Sequence, residues 1–401
     1  MAAIAAACGP RPTPWEPPPP VELDGPTLMD ATAELLDVGP RLVGTPAEVE
    51  ATDVVVRLFQ DAGMQDVRRE AFVWDAWQPG TAAVEVAGAR YPAEPLSPTP
   101  PLAGVTGLLA LETDADVTDR IVIATSAGTS RGAQVLLLRA AGAAGMVRVS
   151  ERHDDEDGGP LVEVGHTFVG VRWPSLAVDA DVGAELRAHV GEPATVTAAS
   201  EVLEGHTSWN VVGDIPGTGP GLVIVTAHLD SWHLSESAAD NALGVGAMVV
   251  MARKLAEGAW PTATVRFVAT GGEEQGLQGA LAYVQAHPVE AGSAQLLLNL
   301  DVMWSPEGTF VVMSDEDRWT DLALDTARAE GIQGVDGGSP NPSSDNFPFQ
   351  IAGSPAFWAG RFGWREYHTR SDLLERLEPE EAAASLRVQW AVLASEAYGP
   401  R

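Results

Sequence analysis

Histidine and carboxylate side chains recur in the second half of the chain at positions next to glycine or apolar residues. They are His228 with Asp230, Asp240, Glu273 with Glu274, Asp301, and His368. Imidazole and carboxylate together form the mixed ligand set that suits divalent zinc. Two metals about 3.5–4 Å apart can share one carboxylate and one water, and a further carboxylate can act as general base. The set therefore predicts a metal-dependent hydrolytic site.

Three of these segments directly follow predicted strands. Residues 222–226 lead into His228, residues 264–269 lead into Glu273 and Glu274, and residues 296–300 lead into Asp301. The carboxyl ends of parallel strands are where ligands bind in open α/β sheets. We therefore expect these side chains to meet at one edge of a sheet, with His368 reaching the same place on a loop.

Each segment also has a plain structural interpretation. Asp240 precedes a predicted helix at 241–256, where a carboxylate can simply cap the first turn. Glu273 and Glu274 can be a solvated charge pair, although adjacent like charges favour a positive partner. Asp301 can cap a turn or helix. The other histidines do not follow strands in this way, and His233 alone lies between His228 and Asp240.

Strand and helix patterns alternate from about residue 205 onward. Buried parallel strands are apolar along their whole length, as residues 222–226 are, so the pattern predicts an α/β fold with a mostly parallel twisted sheet flanked by helices. Helices are also predicted at 26–36 and 46–62. Between about 80 and 200, short β-type runs alternate with Gly, Pro and acids, which predicts a compact β-rich unit. The acidic run 154–157 lacks the ligand spacing of a calcium loop and predicts a solvated loop tip.

The charge balance and the first residues bear on partners and location. With 56 acidic against 24 basic residues and a net charge of −32, the chain cannot assemble a surface for nucleic acid or anionic lipid. No apolar run reaches the roughly 20 residues of a transmembrane helix. Cys8 follows three alanines and precedes a Pro-rich stretch, as in a bacterial lipoprotein leader, although a basic start and a longer apolar run are missing. A secreted or lipid-anchored envelope protein and a cytoplasmic one both stay open.

In order and spacing, these residues resemble the M28 zinc peptidases, most closely the carboxypeptidase Q branch. The resemblance rests on six segments over about 205–401. They are 228–232, Asp240-Asn241, 273–276, Asp301, Ser344-Asp345 with Pro348-Phe349, and His368 with Asp372. A looser likeness at 41–45 extends to the N-terminal part. The Pro-rich composition predicts a disordered leader or lipoprotein tether at 1–22. The resemblance implies a catalytic domain at 23–80 and 203–401 and an inserted protease-associated domain at 81–202.

The same resemblance implies a role for each site residue. One zinc ion would be held by His228, Asp240 and Asp301, and a second by Asp240, Glu274 and His368, so that Asp240 bridges the two. Glu273 would be the general base, Asp230 would support His228, and Tyr367 would stabilise the oxyanion. The peptide bond after Asp240 is expected to be cis. The implied activity is removal of residues from small peptides or dipeptides with a free N-terminus, and relatives of the branch often form homodimers.

Three rival interpretations remain. The M20 di-zinc hydrolases, which include amidohydrolases and dipeptidases, share the ligand order but usually place the bridging aspartate farther from the first histidine; here eleven residues separate His228 from Asp240. A single-zinc glutaminyl cyclase is a related rival, and the expected inserted domain and the full ligand set argue against it. A non-catalytic receptor-like protein on the same fold would have lost ligands, whereas this chain keeps all five and the base.

Overall fold

The computed structural model describes residues 22–125, 130–154, 158–167 and 171–399. The leader predicted at 1–22, including Cys8, therefore lies outside the described residues apart from Glu22. The same holds for residues 155–157 of the acidic run. Within the described part of the chain, no helix is both long and apolar enough to cross a bilayer.

An eight-stranded sheet forms the centre of the larger unit. Its strands, in spatial order, are β1 (Gln65–Gln78), β11 (Glu201–Ile215), β13 (Thr264–Thr270), β12 (Leu222–His228), β14 (Leu296–Asn299), β17 (Ala356–Phe362), β15 (Thr309–Ser314) and β16 (Gly334–Gly338). The four central strands β13, β12, β14 and β17 are parallel, whereas β1, β11 and β15 pair antiparallel with a neighbour. The predicted α/β class is confirmed, and the sheet is mixed.

Helices cover both faces of this sheet. They are α1 (Gly25–Leu36), α2 (Pro46–Asp61), α5 (Leu243–Glu257), α6 (Gln278–Ala286), α7 (Pro288–Ser293), α8 (Asp317–Ala329), α9 (Asn346–Ala352) and α10 (Pro379–Ala397). Along β12, Val223 and Val225 join the core formed with α1, α2, α5, α8 and α10, while Ile224 joins a second core with α6, α7 and α9. This alternation shows why the strand is apolar throughout, since each fully buried side chain contributes about 1.5–3 kcal/mol.

A second unit is inserted between β1 and β11. Seven strands close into a barrel, in the order β10 (Pro193–Ala198), β2 (Ala82–Val86), β3 (Ala89–Pro95), β9 (Ser175–Val178), β6 (Gly145–Val149), β5 (Ile121–Thr125) and β4 (Leu102–Leu111). Helices α3 (Arg131–Ala140) and α4 (Ala180–Ala188) and a two-stranded ribbon, β7 (Arg152–His153) with β8 (Pro160–Leu161), complete it. We call residues 82–198 the inserted unit.

The connection to the inserted unit is a long antiparallel pair. Strands β1 and β11 run side by side from Gln65 opposite Asp214 to Gln78 opposite Glu201. The chain leaves the main sheet along one strand and returns along the other, so the inserted unit stands beside the same edge of the sheet where the predicted site residues lie. Its core is separate, built from alternating apolar residues such as Val84, Ile123 and Leu176.

Candidate metal centre

Strand register brings the first site residues together. His228, at the end of β12, lies opposite Thr270 at the end of β13, and Thr226 lies opposite Asn299 on β14. The segments that follow these strands, with Glu273, Glu274 and Asp301, therefore start from neighbouring points at the carboxyl edge of the sheet. This is the convergence expected of parallel strands with a shared direction.

Asp240 lies in a wide turn rather than at a simple helix cap. The α-helix α5 begins at Leu243, not at residue 241 as predicted, because Asp240 and Asn241 have non-helical backbone angles. Asp372 accepts the backbone N–H groups of Ala239 and Asp240 at 2.8 and 3.1 Å, so these donors are satisfied by a side chain instead of by helix. The peptide bond after Asp240 is cis, as the resemblance implied.

The ligand candidates form two groups that share Asp240. In the first, His228 Nε2 lies 2.9 Å from Asp240 Oδ1 and 3.4 Å from Asp301 Oδ1. In the second, His368 Nε2 lies 3.0 Å from Asp240 Oδ2 and 3.1 Å from Glu274 Oε2. Within each group all the ligand atoms lie within 4.8 Å of one another, and all five residues are buried. The two oxygens of Asp240 thus face different groups.

The unsatisfied atoms of the site fit metal cations. Glu274 Oε1, Asp301 Oδ1 and His368 Nε2 are buried and have no hydrogen-bond partner among the described residues. A buried charged oxygen without a partner is costly, and a divalent cation between imidazole and carboxylates removes that cost. These side chains therefore have the chemistry and the placement of metal ligands.

Glu273 stands beside the ligand groups without belonging to either. Its Oε2 lies 4.0 Å from His228 Nε2, and the side chain is almost completely buried. Burial raises the pKa of Glu273 well above its usual value, and the neighbouring Asp301 and Glu274 carboxylates add to that rise. A carboxyl group in this position can accept and return a proton next to the metal groups.

Asp230 makes contacts beyond the expected one with His228. Its Oδ1 accepts the backbone N–H of Glu273 at 3.1 Å and its Oδ2 accepts that of Glu274 at 3.3 Å. The nearer partner of His228 Nδ1 is the backbone carbonyl of Asp230, at 3.2 Å, rather than the carboxylate, at 3.7 Å. The side chain therefore orients the Glu273-Glu274 segment, and the main chain orients His228.

Tyr367 packs its ring against a ligand. The centroids of the Tyr367 and His368 rings are 3.7 Å apart and the planes are 20° from parallel. The tyrosine is thus next to the second ligand group, and stabilisation of an oxyanion by its hydroxyl stays a prediction.

Several supporting residues received no role from the sequence. Ser344 donates to Asp301 Oδ2 at 2.5 Å and accepts from Asn299 Nδ2 at 2.8 Å. Asp372 fixes the turn of Asp240, as described above. Both residues lie in the segments that carry the M28 resemblance, so the sequence marks their positions without indicating what they contact. His233, by contrast, turns away and pairs with Glu94 of the inserted unit at 3.0 Å.

Comparison with known proteins agrees with this geometry. Residues 210–393 match the model of Peptidase family M28. The chain is 28% identical to "Probable lipoprotein aminopeptidase LpqL" of Mycobacterium tuberculosis over 334 residues, which cover 77% of this chain and 65% of the relative. It is 38% identical to human carboxypeptidase Q over 109 residues, covering 26% and 22% of the two chains. The matches thus cover less than two thirds of either relative.

The fold is also found in solved structures. A zinc aminopeptidase from Bacillus subtilis, BSAP, superposes with a TM-score of 0.72 at 22% identity, covering 92% of this chain and 94% of the other. This likeness concerns the fold, including both the sheet unit and the inserted unit. The matching segment 210–393 contains all five ligand candidates, and this segment is therefore similar to the peptidases of family M28.

Proposed function

We propose that the protein is a di-zinc exopeptidase that removes residues from small peptides or dipeptides with a free N-terminus. The observation that carries the proposal is the pair of ligand groups joined by Asp240, whose two oxygens face His228 and His368 respectively. A single carboxylate shared by two such groups is the arrangement that two-metal hydrolases use. The names of LpqL and BSAP as aminopeptidases support the exopeptidase part.

His228, Asp240 and Asp301 would hold one zinc ion, and Asp240, Glu274 and His368 the other. When bound, such ions polarise a peptide carbonyl and lower the pKa of a water. The residues of the chain do the rest of the chemistry. Glu273 takes the proton of the attacking water and returns it to the leaving amine, because its carboxylate lies 4.0 Å from His228 Nε2 and belongs to neither ligand group.

The surroundings keep Glu273 in place for this task. Asp230 accepts the N–H groups of Glu273 and Glu274, so the base and a ligand are held by one side chain. Tyr367, whose ring stacks on that of His368, would donate its hydroxyl to the oxyanion of the tetrahedral carbon. The low exposure of Glu273 limits competing solvent around the proton that it carries.

The test combines metal analysis with turnover. We expect the purified protein to contain about two zinc ions per chain and to cleave free dipeptides and aminoacyl amides but not their N-acetylated forms. A Glu273→Gln variant should keep its zinc and lose about 10²–10⁴-fold in kcat. Glu85→Gln, which alters an exposed ion pair with Arg90, is the matched control. Full activity of Glu273→Gln, or equal cleavage of blocked substrates, would contradict the proposal.

Two further features belong to this proposal. The inserted unit is proposed to be a protease-associated domain, supported by its closed barrel between two strands of the catalytic sheet. An envelope location is supported by the name of LpqL as a lipoprotein. Cell fractionation of the protein and of a Cys8→Ser variant tests the location, and sedimentation analysis tests the predicted homodimer.

A further inference from the structure

We propose that the inserted unit completes the second ligand group by fixing His368 through the backbone of Val164, with Arg131 as a positioning residue. The inference rests on the proposed metal function, because His368 is treated as a ligand. It goes beyond that function by making a residue of the inserted unit, outside the catalytic sheet, necessary for binding of one of the two metals.

Val164 makes two backbone contacts with His368. The N–H of Val164 donates to the carbonyl of His368 at 3.0 Å, and the carbonyl of Val164 lies 3.3 Å from His368 Nδ1. The two residues are 204 positions apart in the chain. Val164 is buried, so these contacts are shielded from water. The histidine is thus held at its backbone and at its ring by one residue of the inserted unit.

The backbone of His368 needs such support. Its φ angle is +58°, in the left-handed region that residues with a Cβ seldom occupy. A residue in this conformation persists when surrounding contacts hold it. The hydrogen bond from Val164 to the His368 carbonyl fixes the peptide unit that follows this φ angle. The inserted unit therefore stabilises the conformation that directs the ring toward Asp240 and Glu274.

The ring contact selects the tautomer. A metal on Nε2 requires the proton on Nδ1, and the carbonyl of Val164 is the acceptor that faces Nδ1. Arg131 Nη2 is 3.3 Å from the same nitrogen, and it can donate a hydrogen bond to Nδ1 only in the other tautomer, whose proton on Nε2 would exclude a metal there. Its role is to hold the acceptor, since Arg131 Nη1 donates to the Val164 carbonyl at 2.7 Å.

Arg131 is itself held by a buried charge cluster. Glu163 lies 2.6 Å from Arg131, 3.3 Å from Arg148 and 2.9 Å from Arg152. Charge-assisted hydrogen bonds of this kind are stronger than neutral ones and fix side-chain geometry. The ion pair with Glu163 thus holds the guanidinium of Arg131 in the orientation in which it donates to the Val164 carbonyl.

The same cluster also reaches the loop that carries His368. Arg152 Nη1 donates to the carbonyls of Arg365 and Tyr367 at 3.1 and 3.2 Å. Asp154, at the start of the acidic run, is buried and contacts Ser371 and Arg376. The expectation of a solvated loop tip is therefore wrong for Asp154, because its buried carboxylate binds the loop that follows His368.

The experiment compares zinc retention in matched arginine variants of the full-length protein. Arg131→Met keeps the length of the side chain and removes its donors. Because loss of a contact that orients a ligand lowers metal affinity about 10–100-fold, dialysis against a graded chelator should leave about one zinc per chain where the wild type keeps about two. Arg90→Met, which alters an exposed ion pair on the same barrel, should keep both.

Two further variants separate positioning from general loss of structure. His368→Ala should give the same zinc count as Arg131→Met. Arg131→Lys retains a donor for the Val164 carbonyl and should restore part of the retention, with an unchanged circular dichroism spectrum. If Arg131→Met unfolds, Arg131→Gln, which removes the charge and shortens the side chain, takes its place: zinc loss toward the level of His368→Ala supports the proposal, and wild-type retention overturns it.

The outcomes also distinguish this inference from the proposed function. A wild-type protein without zinc and without peptidase activity would remove the proposed function itself. A wild-type protein that binds zinc and cleaves peptides, together with a folded Arg131→Met variant that retains zinc like Arg90→Met, would overturn only the role of Arg131 and Val164.

Discussion

The carboxylate of Asp230 accepts the backbone N–H of Glu273, with Oδ1 3.1 Å from the nitrogen. Its other oxygen accepts the next N–H, that of Glu274, at 3.3 Å. The proposed general base and a proposed ligand are consequently positioned by the same buried side chain. Orientation of this segment is therefore sensitive to the chemistry of a residue that belongs to neither ligand group.

Asp230→Asn is expected to reduce kcat about 10–100-fold while both metals stay bound, because one acceptor oxygen is replaced by a donor amide facing an N–H group. Steady-state kinetics and zinc analysis on the same preparation check this. Asp75→Asn is the control, since Asp75 is exposed and accepts the N–H of Gly205 rather than one of the site segment. An unchanged kcat would show that Asp230 does not position the base.

Asp240 and Asp301 should differ in their effect on zinc content. Asp240→Ala removes the carboxylate shared by both ligand groups, so zinc should fall to about zero, whereas Asp301→Ala should leave about one zinc in the second group. Metal analysis after dialysis measures both. Asp325→Ala, in an exposed pair with Arg328, should retain the wild-type content. Equal losses in the two site variants would contradict a shared ligand.

Arg41 is expected to be important for stability as a buried donor. Its guanidinium donates to the carbonyls of Leu229 at 2.8 Å, Glu236 at 2.5 Å and Ser237 at 3.3 Å, around the loop between His228 and Asp240. Arg41→Met leaves these buried carbonyls without a partner, so the free energy of unfolding should fall by about 2–4 kcal/mol.

Urea unfolding of the Arg41→Met and Arg57→Met variants measures the loss of unfolding free energy in each. Arg57 forms an exposed pair with Glu34, and such surface pairs contribute about 0–1 kcal/mol. Similar unfolding midpoints for the two variants would mean that water or neighbouring groups replace the contacts of Arg41.

Gly246 allows helices α1 and α5 to approach closely. A Cβ atom at this position would lie 2.4 Å from Thr32 Oγ1 and 3.0 Å from its backbone nitrogen. Gly246→Val should therefore lower the free energy of unfolding by about 1–3 kcal/mol through overpacking. Gly258→Val, at an exposed position with no atom closer than 3.7 Å, is the control. Thermal unfolding of both variants tests it, and equal midpoints would argue against a tight helix contact.

Much of the fold could be predicted from local patterns. The strands that the sequence predicts at 222–226, 264–269 and 296–300 are observed at Leu222–His228, Thr264–Thr270 and Leu296–Asn299, because apolar runs between turn residues are strong local signals. The start of α5 was misplaced by two residues. A side chain from far along the chain, Asp372, takes the N–H groups that a helix cap would otherwise satisfy, and no local pattern reveals such a partner.

The sequence by itself determined which residues meet at the site, because strands of one direction deliver the residues after their carboxyl ends to one edge of a sheet. Only the tertiary structure decided how they are held. In the structure, Asp230 accepts hydrogen bonds from the backbone of Glu273 and Glu274. Asp372 does the same in the turn of Asp240, and the carbonyl of Val164 faces the ring of His368. These contacts join residues tens to hundreds of positions apart, and they depend on side-chain directions that composition and spacing do not encode.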